Sequence, residues 1–158
     1  MTNLNIKAKL MNKIVYVDMD GVLVDFESGI KSLRIDEIKL YENKLDEVPG
    51  IFSRMNPIIG AIESFEKINK HFDVYILSTA PWENPTALND KLAWIKKNIG
   101  DIAKKRVIFS HNKHLNMGDY LIDDRKANGA SDFKGKHIHF GTDEFPDWDA
   151  VLNYLNIK

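Results

Sequence analysis

The chain has 158 residues, 44% of them apolar and 28% charged, with a net charge of −1 and no cysteine. That length suits one domain with a substantial core. The absence of cysteine excludes disulfides and thiol chemistry, and the balanced charge gives no footprint for a nucleic-acid polymer or an anionic membrane.

Met1 to Leu10 lack the apolar core of a signal peptide, and no run approaches the roughly 20 apolar residues of a spanning helix. A cytoplasmic location is therefore expected, with residues 1–11 as a loose extension and Met11 as an alternative start. Ile14 to Val17 are all β-branched or aromatic and predict a short buried strand. Asp18-Met19-Asp20-Gly21 follows at its end. In open α/β sheets, ligands bind outside the carboxyl ends of strands. Two neighbouring carboxylates repel, and a divalent cation with a preference for oxygen relieves this. One acid can serve as nucleophile and the other as proton donor.

Residues 26–49 carry Ile30, Leu33, Ile38, Tyr41 and Leu45 at roughly helical spacing and predict one or two short helices, ending near Pro49-Gly50. A helix is expected over about 58–70 after Pro57. A second strand over 73–77 ends at Ser78-Thr79, whose hydroxyls can donate to a phosphoryl oxygen. Leu88, Leu92, Ile95 and Ile99 repeat at helical spacing and are expected to face the core, with Gly100 as the cap and no spare face for a dimer. A third strand, 106–110, leads to His111-Asn112-Lys113, where an ammonium can offset developing negative charge. A fourth, 120–122, ends at Asp123-Asp124-Arg125. A fifth spans 136–140, with His137 and His139 read as packing residues, one toward the core and one toward a helix. The last helix starts near Pro146. Alternating strands and helices predict a five-stranded parallel sheet flanked by helices.

Asp-x-Asp-Gly, then Ser/Thr, then Lys, then Asp-Asp, each after an apolar strand, resembles the four motifs of the haloacid-dehalogenase-like superfamily of phosphohydrolases. Asp18 to Phe26, Ile76-Leu77-Ser78-Thr79-Ala80-Pro81 and Leu121-Ile122-Asp123-Asp124-Arg125 are similar to the 5'(3')-deoxyribonucleotidase family, as is Lys91-Leu92-Ala93-Trp94-Ile95. The chain departs in a shorter insertion after the first strand.

The resemblance implies a single Rossmann-like domain over 1–158 with a small helical cap insertion at 27–57. It implies Asp18 as nucleophile and Asp20 as general acid and base. Mg2+ would be held by the Asp18 carboxylate, the Asp20 main-chain carbonyl and the Asp123-Asp124 pair, with Asp123 as direct ligand and Asp124 in support. Ser78, then Thr79, and Lys113 would bind the phosphoryl group. Phe26, Phe52 and Trp82 are candidates for a slot taking a flat base, set against plain packing. The expected activity is Mg2+-dependent dephosphorylation of a small phosphomonoester, a deoxyribonucleoside monophosphate first and a sugar phosphate second. A non-catalytic phospho-acceptor module fits less well, because its paired acids follow the first strand and it has no use for Asp20.

Overall fold

A computed structural model describes residues 13–158, so the expectations for residues 1–11 lie outside the described part. The central strand is β1 (Ile14–Val17), joined by β2 (Val24–Asp25), β3 (Asn56–Pro57), β4 (Asp73–Ser78), β5 (Val107–Phe109), β6 (Tyr120–Asp123) and β7 (Lys136–His139). Five of these form one parallel sheet in the order β5-β4-β1-β6-β7. β1 is buried from Val15 to Val17 because both its faces are apolar: Val15 and Val17 enter one core and Tyr16 the other. Val15 aligns with Val74 on one side and Tyr120 on the other. The chain runs outward from β1 to β4 and β5, then returns to β6 on the opposite side. Such a reversal opens a crevice at the carboxyl end of the central strand.

The α-helices are α1 (Phe26–Lys31), α2 (Ile35–Leu40), α3 (Ala61–Asn69), α4 (Ala87–Asn98) and α5 (Trp148–Tyr154). α3 begins later than expected, because Gly60, with φ of +77°, turns the chain just before it. α3 packs on α5, while α4 packs on the turn Ile51–Ser53. The links from β5 to β6 and from β6 to β7 carry short 3-10 turns, Lys113–Leu115 and Ala130–Asp132, where full helices were not required to bring the parallel strands together.

Two expectations for α4 are corrected. Ile95 and Ile99 are buried as expected, but Ala87, Lys91 and Trp94 complete the core face, whereas Leu88 is 52% and Leu92 37% exposed. An apolar surface therefore does remain on this helix. The face is rotated because the largest side chain wins the interior: Trp94 is buried and its Nε1 donates to the Met55 carbonyl at 2.9 Å.

Residues between β2 and β3 hold α1, α2 and two 3-10 turns. β2 and β3 pair antiparallel, Val24 with Pro57 and Asp25 with Asn56, and close the base of this segment. Asp25 caps α1 by accepting from the Ser28 amide, and Arg54 binds Glu37 of α2 through two bonds of 3.1 and 3.0 Å. Asn84, buried, donates to the carbonyls of Asp46 and Val48 and ties the loop after β4 to the same segment.

Candidate active site

β1 delivers Asp18 to the centre of the crevice. The Asp18 amide donates to the Ile122 carbonyl at 2.9 Å, so the residue is fixed from the β6 side. The chain then folds back tightly: the amides of Val22, Leu23 and Val24 all donate to the Met19 carbonyl, and Gly21 adopts φ of +73°. Met19 is buried while Asp20 reaches a cavity of about 570 Å³. Trp148 of α5 holds this turn from beneath, its Nε1 donating to the Val22 carbonyl at 3.0 Å.

Lys113 enters from the turn after β5. Its amide donates to the Asn128 carbonyl, and its Nζ lies 2.9 Å from Asp18 Oδ1 and 2.5 Å from Asp123 Oδ2. Gly129 (φ +80°) permits this approach, since a Cβ there would stand 2.2 Å from His114 Nδ1. Burial works against the charge on Lys113, but the Asp18 and Asp123 carboxylates outweigh it, and its pKa rises.

The two acids ending β6 differ. Asp123 is fully engaged, Oδ2 by Lys113 and Oδ1 by the Arg125 amide at 2.9 Å. Asp124 Oδ1 is buried without a hydrogen-bond partner among the described residues. Carboxylate oxygens of Asp18, Asp123 and Asp124 lie within 4.8 Å of one another. Burial first, and then the Asp18 charge, raise both acids to about 6, Asp123 adding to the effect at Asp124 and Lys113 opposing it at Asp123. This arrangement of hard oxygen donors, with the Asp124 carboxylate accepting no hydrogen bond among the described residues, fits a Mg2+ ion. The Asp20 carboxylate lies outside the trio; its Oδ2 accepts from Lys91 Nζ at 2.6 Å. Burial lifts the Asp20 pKa, with Lys91 opposing and the Asp18 charge adding to the rise.

The hydroxyls at the end of β4, Ser78 and Thr79, separate in the same way. Ser78 is fully buried and its Oγ accepts from Lys91 at 3.0 Å, so this first choice for a phosphoryl contact is turned away from the cavity. Thr79 lies on the cavity wall, its hydroxyl donating to the Ser110 carbonyl. Phe26, Phe52 and Trp82 all line the cavity. Phe26 and Phe52 meet at 6.1 Å between centroids, and Phe52 is packed into the core as well. Trp82 is 84% exposed and meets His111 edge-on at the rim.

His137 and His139 correct a further expectation. Residues two apart on a strand share a face, and the two rings stack at 5.1 Å. Their Nε2 atoms lie 3.1 and 3.0 Å from the carbonyls of Asp123 and Asp124. Sequence reading named Lys91 and Arg125 within the motifs but gave neither a place in the site. Arg125 lines the cavity directly after the acid pair. For Lys91, the available signal was a lysine three residues before a core tryptophan.

The family described as 5' nucleotidase, deoxy (pyrimidine), cytosolic type C matches residues 36–146. A Vibrio phage KVP40 protein named "Putative 5'(3')-deoxyribonucleotidase" is 61% identical over 150 residues, covering 94% of this chain and 88% of its own. The human "5'(3')-deoxyribonucleotidase, cytosolic type" is 27% identical over 168 residues, covering 87% and 78%. Among solved structures, the magnesium-bound HAD-type protein YfnB of Bacillus subtilis is similar in fold, with TM-score 0.58 at 13% identity, covering 93% of this chain and all of its own. The haloacid dehalogenase-like protein SP0104 of Streptococcus pneumoniae has TM-score 0.53 at 14% identity, covering 90% of each.

Proposed function

Since the chain belongs to the 5' nucleotidase, deoxy (pyrimidine), cytosolic type C family of phosphoric monoester hydrolases, we propose that it is a Mg2+-dependent 5'(3')-deoxyribonucleotidase acting through an aspartyl-phosphate. The observation that carries this reading is the meeting of Asp18, Lys113 and the Asp123-Asp124 pair beneath a cavity with Asp20 on its wall.

Asp18 attacks phosphorus, and the bond to the leaving oxygen breaks. Asp20 gives that oxygen a proton; a carboxyl lifted by burial is suited to carrying one. Asp20 then takes a proton from the water that hydrolyses the aspartyl-phosphate. Lys113 offsets the charge of Asp18 so that a phosphate dianion can approach. Thr79, on the cavity wall, supports the phosphoryl group by turning its hydroxyl proton from the Ser110 carbonyl to a phosphoryl oxygen, in preference to Ser78, which Lys91 holds in the interior. Asp18 and Asp124 would hold the Mg2+, with Asp123 locking Lys113. This reverses the preference between the acids, because each Asp123 oxygen already accepts a hydrogen bond and neither Asp124 side-chain oxygen accepts one among the described residues. A bound Mg2+ supplies charge neutralisation at the phosphoryl group.

Residues 27–57 serve as the cap, and Phe26, Phe52 and Trp82 form the wall that meets the base. The name of the human relative, "cytosolic type", supports a cytoplasmic site of action. Among the described residues, no helix is long and apolar enough to cross a membrane.

The test is phosphate release from dUMP, dTMP, their 3'-phosphate isomers, ribonucleotides and sugar phosphates, with Mg2+ and with EDTA. Mg2+-dependent preference for deoxyribonucleotides is expected, and Asp18→Asn should abolish turnover without lowering the thermal midpoint. Turnover confined to sugar phosphates would discard the substrate, and full activity in EDTA would discard the metal.

A further inference from the structure

Lys91 is a buried charge to which the chemistry above gives no task. It lies on the core face of α4 with none of its side chain exposed. All three of its donor positions are used: Asp20 Oδ2 at 2.6 Å, Ser78 Oγ at 3.0 Å and the Thr79 carbonyl at 2.7 Å. The Phe52 ring covers it, with Nζ 4.6 Å from the centroid. An apolar side chain of similar volume would fill such a position without the desolvation cost of an ammonium. Core packing therefore gives no reason for a lysine here.

Asp20 supplies the reason. Its two oxygens are inequivalent: Oδ2 is held by Lys91, whereas Oδ1 is buried with no partner among the described residues, in a side chain that lines the cavity.

We infer that Lys91 is a positioning residue for proton transfer, fixing Oδ2 of Asp20 as a permanent acceptor so that the proton resides on Oδ1 and faces the leaving oxygen. The inference rests on Asp20 being the general acid. As the P–O bond to the leaving group breaks, its electron pair stays on that oxygen, and the Oδ1–H proton moves there. The carboxylate left behind carries its charge beside the Lys91 ammonium. In the second half, the attacking water returns a proton to Oδ1 as its oxygen bonds to phosphorus and the bond to Asp18 breaks. No further reactant is needed.

The test uses the leaving group. A nucleoside alkoxide needs a proton in order to leave, and p-nitrophenolate does not. Lys91→Met should lower kcat/KM, which reports formation of the aspartyl-phosphate and not the hydrolysis shared by both substrates, by about 100-fold for the preferred nucleoside monophosphate, within the range of a positioned general acid, and at least about tenfold more than for p-nitrophenyl phosphate. Equal losses of kcat/KM on the two substrates would overturn the inference, because damage to the phosphoryl site or to the fold strikes both alike.

Lys91→Met also strands a half-buried carboxylate, so a second comparison removes both charges. Asp20→Asn/Lys91→Met should turn over the nucleotide at the same rate as Asp20→Asn alone, since Lys91 acts through Asp20. A further tenfold drop in the double variant would overturn the inference. Wild-type protein inactive on both substrates would remove the hydrolase reading and Lys91's role with it, whereas an active wild type with equal losses removes only the latter.

Discussion

Gly21 meets two demands that no other residue satisfies together. Its φ of +73° is left-handed, and a Cβ built there would stand 2.2 Å from Asp124 Oδ2. Gly21→Ala is expected to cost about 1–2 kcal/mol from the backbone alone, and to weaken Mg2+ activation by displacing Asp124. Unfolding and Mg2+ titration of phosphate release check the two effects separately; a variant unchanged in both would show that the turn has another solution. At this scale the acids and Lys113 were legible, because each is a chemically capable residue just after an apolar strand. Three choices were not: Asp123 against Asp124, Ser78 against Thr79, and the task of Lys91. Each depends on which neighbour takes which oxygen, and that is decided by side-chain direction across strands far apart in sequence.

α4 shows what an element pattern hides. Leu88 and Leu92 have the spacing of a core face, yet Ala87, Lys91 and Trp94 hold the interior. A periodicity argument scores lysine as solvent-facing, and here a half-buried carboxylate and a carbonyl make the opposite choice favourable. Trp94→Ala should therefore cost about 3–5 kcal/mol, and Leu88→Ala no more than about 0.5 kcal/mol, measured by denaturant unfolding; equal costs would restore the leucine face. α2 offers a pH test. Glu37 is held by the Arg54 guanidinium and the Arg34 amide, which bring its pKa from 4.5 to about 2. A depressed carboxyl contributes its stability above the ordinary value and loses it as pH falls through the folded one. The difference in melting temperature between wild type and Glu37→Gln should be full above pH 4.5 and close toward pH 2. A difference constant across that window would remove the ion pair as its cause.

For the whole molecule, a five-stranded parallel sheet was readable from the alternation of strands and helices, while the order that puts β1 at its centre came from the structure. The two-residue pairing of β2 with β3 was not readable either, because it is too short to leave a periodic trace. The acid trio also joins β1 to the end of β6, so a cation there acts on the entire fold. Mg2+ at 100 times its Kd should add about 2.7 kcal/mol of stability by mass action, read as a rise in melting temperature that EDTA reverses. Asp124→Asn should blunt that rise, and an Asp124→Asn protein with an undiminished response would place the ion elsewhere.

The pairing of Asp25 with Asn56 has a consequence for descent. The chain leaves the sheet and comes back at points that touch, so the exposed part of the interval, ahead of the residues that Asn84, Trp94 and Lys91 hold, is to the rest of the protein a loop of adjustable length. Closing a flexible loop twice as long costs only about 0.6 kcal/mol more. Insertions can therefore accumulate there while the acids, Lys113 and the sheet stay where they are. Lineages sharing this scaffold are free to diversify the molecules they accept by editing one interval of sequence, without renegotiating the chemistry beneath it.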